Sequence, residues 1–380
     1  MDFEPTEEQR MLRRMVREFA EREIAPRVTE IDQTDEFPWD LFHRMGELGL
    51  YALPFPEEYG GSDAGYTNMA IALEEIARVS GSMAITLDAQ TSLCSEPIYL
   101  FGNEEQKKKY LTPLTQGEKV GCFGLTEPQA GSDAGATRTR AIRDGDEWVI
   151  NGQKIFITNG SIADVIVITA ATAPEKGTRG ISSFIVEKET PGYQPGRDED
   201  KMGLRGSVTS ELFFEDCRIP AENLLGDENE GFKQFLTTLD AGRIAMAAMA
   251  LGLAQGAYEK ALAYAKEREQ FNRPIANFQA VQWMLADMAT EIDAARLMTY
   301  RAAWLRERHM RFTKEAAMAK LLASEVAERV CHHAIQIHGG YGYVREYEVE
   351  RMYRDQRLCA IGEGTNEIQR LVIARQVLKD

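Results

Sequence analysis

The residues best suited to chemistry lie near the C-terminus, in the run Ile361-Gly362-Glu363-Gly364-Thr365-Asn366-Glu367-Ile368-Gln369-Arg370. Glu363 is a lone carboxylate between two glycines, just before an amphipathic pattern carried by Ile368, Leu371, Val372, Val377 and Leu378. Glycine on either side permits backbone with positive φ and leaves room for a ligand to approach. Thr365 is placed to cap the following helix by accepting from its first free N–H groups. A carboxylate held in this way suits a general base reaching for a substrate proton. The same pattern also describes an ordinary helix-entry turn with a solvated glutamate, and this segment alone does not separate the two.

Three further polar clusters stand in mostly apolar surroundings. Phe123-Gly124-Leu125-Thr126-Glu127-Pro128-Gln129-Ala130-Gly131-Ser132-Asp133 offers hydroxyls and an approachable backbone that could grip a polar heteroaromatic ring; it equally describes a decorated loop at a sheet edge. Lys154-Ile155-Phe156-Ile157-Thr158-Asn159 reads as a strand ending in polar groups. Gln336-Ile337-His338-Gly339-Gly340-Tyr341-Gly342 reads as a helix terminus running into glycines, where Gly339 could simply be a C-cap.

Other chemistries lack their residues. None of the five histidines (His43, His309, His332, His333, His338) has a glutamate three positions before it, so the pairs a di-iron bundle needs are missing. The five cysteines are scattered with no Cys-x-x-Cys, which argues for reduced thiols rather than a zinc site or a disulfide framework. No Gly-x-Ser-x-Gly elbow, Walker loop or strand-linked Gly-x-Gly-x-x-Gly occurs, so no metal site and no Rossmann-held dinucleotide is expected.

The elements that must position these clusters fall in three blocks, giving an expected α+β fold. Residues 1–120 read as an N-terminal helical domain. Thr6-x-x-Gln9 resembles a capping box, and Met11, Met15, Val16, Phe19 and Ile24 give an inward face. Pro26 is expected to end that helix or to sit just past its end, with further helices over 39–48, 67–79 and 104–111. Residues 121–230 read as a central β-domain, with strands over 165–169, 181–187 and 211–215. Asn151-Gly152 between two β-rich runs predicts a type I′ hairpin. Residues 231–380 read as a C-terminal four-helix bundle, with helices over 233–268, 277–307, 313–338 and 366–378.

The 380 residues are 44% hydrophobic, and 44 Lys+Arg against 60 Asp+Glu give a net charge of −16. An acidic chain of this kind is not expected to bind nucleic acid or an anionic membrane. No segment reads as long and apolar enough to span a membrane. The start, Met1-Asp2-Phe3-Glu4-Pro5, passes straight into a helical pattern with no leader character. A cytoplasmic location is therefore the default expectation.

Taken together, the clusters resemble the acyl-CoA dehydrogenase family across essentially the whole chain. The matching pieces, in the family's order, are Leu125-Thr126-Glu127-Pro128 with Ala130-Gly131-Ser132-Asp133; Ile157-Thr158-Asn159; Lys201-Met202-Gly203-Leu204-Arg205-Gly206-Ser207; Leu239-Asp240-Ala241-Gly242-Arg243; Arg268-Glu269-Gln270-Phe271; Gln336-Ile337-His338-Gly339-Gly340; and Glu363-Gly364-Thr365. The resemblance implies a flavoprotein with tightly bound FAD that converts an acyl-CoA to its trans-2-enoyl-CoA. By that resemblance Glu363 is the base for the α-proton, its backbone N–H helps bind the thioester oxygen, and the β-hydride goes to flavin N5.

Position by position, the resemblance assigns Phe123, Leu125, Thr126, Gly131 and Ser132 to the isoalloxazine loop. Phe156, Ile157 and Thr158 match the strand packed on the flavin. Arg268, Phe271, Gln279, Gln336, Ile337, Gly339 and Gly340 match the grip on the ADP half from a neighbouring subunit. Thr365, Asn366 and Glu367 complete the flavin contacts. Ser132, Asp240, Ala241, Gly242, Arg243 and Gly364 match substrate-side positions. In a branch acting on branched acyl chains the base stands at the position of Gly242, which cannot be a base here. A homo-oligomer, as a dimer of dimers, and an electron-transferring flavoprotein as partner are also implied. An extra C-terminal domain of the kind found in related oxidases is not expected.

Two departures bear on substrate. Gly362 stands where short- and medium-chain relatives often carry tyrosine, and Phe156 where the family often has tryptophan. The stretch 82–100, expected to line the acyl pocket, contains no Arg or Lys, which disfavours a glutaryl-type substrate.

Overall fold

A computed structural model describes residues 4–379. The reading of Met1, Asp2 and Phe3 as a start without a leader falls outside the described residues.

The N-terminal block is helical, in α1 (Glu7–Phe19), α2 (Val28–Thr34), α3 (Trp39–Glu47), α4 (Gly65–Ala77), α5 (Gly81–Asp88), α6 (Glu96–Phe101), α7 (Glu104–Gln106) and α8 (Thr112–Thr115). The capping box forms: Thr6 Oγ1 accepts from the Gln9 N–H at 3.2 Å, and the Thr6 N–H donates to Gln9 Oε1 at 2.9 Å. Pro26 sits just past the end of the first helix, and the helical path continues beyond it. A π-turn (Ala20–Ile24) and a 3-10 turn (Ala25–Arg27) carry it into α2. Pro26 occupies the first turn of the new segment, where its missing N–H is not needed. A second π-turn, Ala89–Ser95, joins α5 to α6 in one nearly fully buried helical run.

The sheet comprises β1 (Gly121–Gly124), β2 (Arg140–Asp144), β3 (Glu147–Thr158), β4 (Val165–Ala171), β5 (Ile181–Glu187), β6 (Tyr193–Asp198), β7 (Thr209–Pro220) and β8 (Leu224–Leu225). Its order is β6-β7-β3-β2-β4-β5-β8, with β1 parallel to β4. The hairpin expected at Asn151-Gly152 is absent, because β3 runs straight through both residues. The turn falls instead at Gly145-Asp146, between β2 and β3. Gly152 serves a bulge against β7 and a close approach to Thr139, whose Oγ1 would stand 2.5 Å from a Cβ there.

The C-terminal block contains α9 (Gly231–Glu267), α10 (Gln279–Glu307), α11 (Thr313–His338), α12 (Val349–Asp355) and α13 (Asn366–Val377). The expectation that no segment matches a membrane span needs correction. An 18-residue window of α9 reaches a mean hydropathy of 1.2, but 78% of it is buried inside the molecule. Its apolar surface is spent on the protein core, as for a helix hydrophobic all round.

One core cluster runs through both helical blocks, from Val16 and Phe42 to Met249 and Met352. A second fills the sheet around Trp148 and Phe184. A third, with Tyr110, Phe123, Val165 and Phe235, welds the N-terminal helices, the sheet and α9 together. Burial of each such large side chain is worth about 1.5–3 kcal/mol. The segment 201–207 fastens the sheet to both helical blocks: the Leu204 N–H donates to Asp355 at 2.6 Å, Arg205 Nε to the Asp32 carbonyl at 2.8 Å, and the Gly206 N–H to Asp35 at 2.7 Å.

Candidate active site

Glu363 follows a 3-10 turn (Gln356–Ala360) and precedes α13. Its φ is 54° and that of Gly364 is 90°, so two consecutive residues adopt the left-handed conformation. For a glutamate this costs on the order of 1–3 kcal/mol, and it persists only where the surroundings hold it. Those surroundings are polar and specific. Gln369 Nε2 donates to the carbonyls of Glu363 (3.1 Å) and Gly364 (2.8 Å). Lys320 Nζ, from α11, donates to the Gly364 carbonyl (2.8 Å) and Asn366 Oδ1 (3.2 Å). Thr365 caps α13 by accepting from the Ile368 N–H.

The reversed backbone turns the Glu363 carboxyl inward, against Gly242. Both of its oxygens are closed to solvent and accept from no N–H or hydroxyl group. Burial pushes this carboxyl above the ordinary glutamate range; Asp88, Lys320 and Arg243 pull the other way. Lys320 is itself lowered to about 8, chiefly by burial. Asp240 pairs with Arg243 and accepts from Thr313 Oγ1 at 2.6 Å, leaving Arg243 Nε buried without a partner. Ala241 is packed into the core, so the structure does not bring its side chain to this group.

The β-domain residues gather at one end of β1 and β3. Phe123 stacks on Phe235 of α9, ring centroids 4.0 Å apart. The Ile155 N–H donates to the Thr126 carbonyl at 2.9 Å, tying the loop after β1 to β3. Register shifts between Lys154 and Ile157 turn Phe156 outward, with φ 57° and 62% exposure. Ile157 points into the sheet core and offers only backbone, while Thr158 is half-buried. Leu125 and Thr126 are half-buried; Gly131 and Ser132 are exposed. Beneath them lies a pair not singled out from the sequence: Lys154 Nζ, fully buried, meets Glu127 Oε1 at 2.7 Å. Glu127 also accepts from the backbone N–H groups of Arg138 (2.7 Å) and Thr139 (3.1 Å).

A third group lines a cavity of about 590 Å³: Arg268, Gln270, Ile337, Gly339 and Gly340, with Tyr264 and Tyr341. The Arg268 guanidinium lies 5.4 Å from the Tyr341 ring centre. Phe271, Gln279 and Gln336 are exposed and do not line it. Glu367 is exposed and Asn366 buried, at the start of α13.

The residue the sequence reading missed is Asp88, at the end of α5. Its carboxyl faces Glu363, is closed to solvent, and lies well above the ordinary range through burial and the Glu363 charge. The one available signal was an acid inside the otherwise uncharged run 79–95, at the mouth of a buried π-turn.

A helix–sheet–helix chain with a carboxyl buried where α5, α9 and α13 meet is the plan of a flavin-dependent oxidoreductase. The chain matches the acyl-CoA dehydrogenase N-terminal domain over residues 6–118, the middle domain over 122–217 and the C-terminal domain over 229–378. It belongs to the acyl-CoA dehydrogenase family. It is 58% identical to the probable acyl-CoA dehydrogenase YngJ of Bacillus subtilis, over all of both chains. Among solved structures, a chain from work on the electron transferring flavoprotein of Acidaminococcus fermentans and flavin-based electron bifurcation superposes with a TM-score of 0.99 at 51% identity, covering both chains fully. Butyryl-CoA dehydrogenase from Megasphaera elsdenii superposes with a TM-score of 0.98 at 45% identity, again covering both fully.

The residues present fit a flavin nucleotide. Cβ directions at Gly131, Gly339 and Gly340 open on empty space. Arg268 supplies a cation beside an aromatic face, a donor set suited to a diphosphate next to a planar ring.

Proposed function

We propose that the chain oxidises a short, neutral acyl-CoA thioester across its Cα–Cβ bond, with FAD as the flavin and Glu363 as the base. The carrying observation is the Glu363 carboxyl: closed to solvent, accepting from no N–H or hydroxyl group, and aimed at the space beside Gly242. A thioester's α-proton is weakly acidic, so its removal needs a carboxylate that water has not stabilised. The strained turn at Glu363 holds the base in place before substrate arrives. Its N–H is the donor assigned to the thioester oxygen. A bound FAD supplies the acceptor for the β-hydride.

Phe123, Leu125, Thr126, Gly131, Ser132, Phe156, Ile157 and Thr158 would hold the ring end, through backbone where the side chain is buried. Arg268, Ile337, Gly339 and Gly340, lining the separate cavity, would hold the nucleotide end in a neighbouring subunit. Large apolar side chains left in water, Phe271 at 87% and Trp283 at 64% exposure, support a homo-oligomer as the working unit. The likeness to the chain solved in the Acidaminococcus fermentans work supports an electron-transferring flavoprotein as electron acceptor. That to butyryl-CoA dehydrogenase supports a short acyl chain. Stretch 82–100 lacks Lys and Arg, the cations that an acyl group ending in a carboxylate would need.

Anaerobic titration of the purified protein with acyl-CoAs of graded length and branching tests this reading. Bleaching of the flavin spectrum by butyryl-CoA is the expected result. A protein that stays colourless after incubation with FAD refutes it.

A further inference from the structure

Two carboxyl groups, not one, are closed to solvent at this site. Asp88 closes α5 and faces Glu363 within hydrogen-bonding reach. None of their four oxygens is paired with an N–H donor. The Ser92 hydroxyl, one turn on, lies beside Asp88. Two carboxylates this close in an apolar setting do not both stay ionised, and a hydrogen bond between them requires a proton.

We propose that Asp88 and Glu363 share one proton at neutral pH, with Asp88 the protonated member donating to Glu363, so that Asp88 positions the base and keeps it ionised where burial alone would neutralise it. The assignment within the pair follows from what faces each carboxyl. Lys320 on α11 and Arg243 on α9 both favour charge on Glu363. Asp88 meets only the Glu363 charge and the Ser92 hydroxyl. The remaining titratable groups near Glu363, Asp240 on α9, Cys359 on the preceding 3-10 turn and Glu367 at the start of α13, lie beyond these contacts. Asp240 is committed to Arg243, Cys359 is held as a thiol by burial, and Glu367 is exposed.

The proton balance of the reaction is preserved. The substrate C–H bond breaks, its proton passes to a Glu363 oxygen, and its electron pair moves towards the thioester carbonyl. The pair then holds two protons, and one leaves to solvent when product departs. Asp88 touches neither bond and acts through Glu363, so it is a positioning residue.

The proposal rests on the reading of Glu363 as the base, and two measurements separate the claims. The first is infrared absorption of the substrate-free protein at neutral pH. We expect a protonated-carboxyl C=O band that moves in D2O and is lost in Asp88→Asn. No such band in the wild type, or a band that survives in Asp88→Asn, overturns the proposal whatever Glu363 does in turnover.

The second is the pH profile of anaerobic flavin reduction by butyryl-CoA. Asp88→Leu removes the donor, so the rising limb is expected to move to higher pH, with the rate below the limb falling about tenfold per unit of displacement. Asp88→Asn, whose amide still donates, is expected to keep the limb near its wild-type position. A purely structural role would lower the rate of both variants without moving the limb, and that outcome refutes the proposal. Unchanged reduction in Glu363→Gln would remove Glu363 as the base and leave the infrared result standing.

Discussion

A Cβ placed on Gly242 would lie 2.1 Å from Glu363 Oε2 and 2.8 Å from its carboxyl carbon. The glycine of α9 is thus the wall that lets the carboxyl stand where it does. Gly242→Ala forces the carboxyl to move, since α9 is buried along its length here and cannot yield. A displacement on the order of 1 Å costs about 10²-fold in rate when it misplaces a reacting group. Anaerobic flavin reduction by butyryl-CoA should fall by about that factor. Gly362→Ala is the control: its Cβ crowds only the flexible Met246 Cε, at 3.3 Å, and meets Leu358 at ordinary contact distances of 3.5 and 3.6 Å, so its rate should stay near wild type.

Glu363→Gln keeps the shape of the site and removes the base. Flavin content and melting temperature should be unchanged, while the rate of flavin reduction falls roughly 10²–10⁴-fold, the usual contribution of general-base catalysis. In the wild type the raised Glu363 carboxyl must lose its proton to act, so the rate should decline as pH falls through that raised value, above the ordinary carboxylate range. The decline should be absent from the residual rate of Glu363→Gln. Stopped-flow reduction across pH measures both.

Much of this arrangement was legible in the chain. Helix extents near 279–307 and 313–338, the α–β–α order and the Glu363 turn follow from apolar spacing, glycine placement and capping residues, all local signals. The failures share a cause: tertiary context overrode a local rule. Asn151-Gly152 carries a hairpin signal, but β7 pairs across it and Gly152 is needed for the approach of Thr139. Asp88 gives no periodic signal because its helix is buried on every side. Only the approach of the Glu363 turn to the end of α5 shows what it faces.

The Lys154–Glu127 pair supports the loop after β1, since Lys154 Nζ also approaches the Leu125 carbonyl at 3.3 Å. Burial lowers Lys154 to about 8, and the Lys154 charge and the Arg138 and Thr139 donors hold Glu127 below its usual range. Lys154→Met leaves a buried carboxylate unpaired and should cost about 3–5 kcal/mol of stability, read by denaturant unfolding. Adding Glu127→Leu should recover part of this loss. The recovery stays partial because the Arg138 and Thr139 N–H groups then lose their acceptor.

The Asp88–Glu363 pair should also leave a mark on stability. Both carboxyls are raised by burial, so the folded protein binds more protons than the unfolded chain once pH exceeds the ordinary carboxylate pKa. Stability contributed by such groups is full below that unfolded value and is lost as pH rises through the folded one. Each unit of upward shift corresponds to about 1.4 kcal/mol. Asp88→Asn removes one of the two titrating groups while keeping a similar shape and a donor. Its stability relative to wild type should therefore rise with pH from the ordinary carboxylate range up to the raised Asp88 value, and level off above it. Unfolding free energies of wild type and Asp88→Asn, measured in parallel across that window, check this. A difference that stays flat or falls with pH would show that Asp88 is not held protonated in the fold.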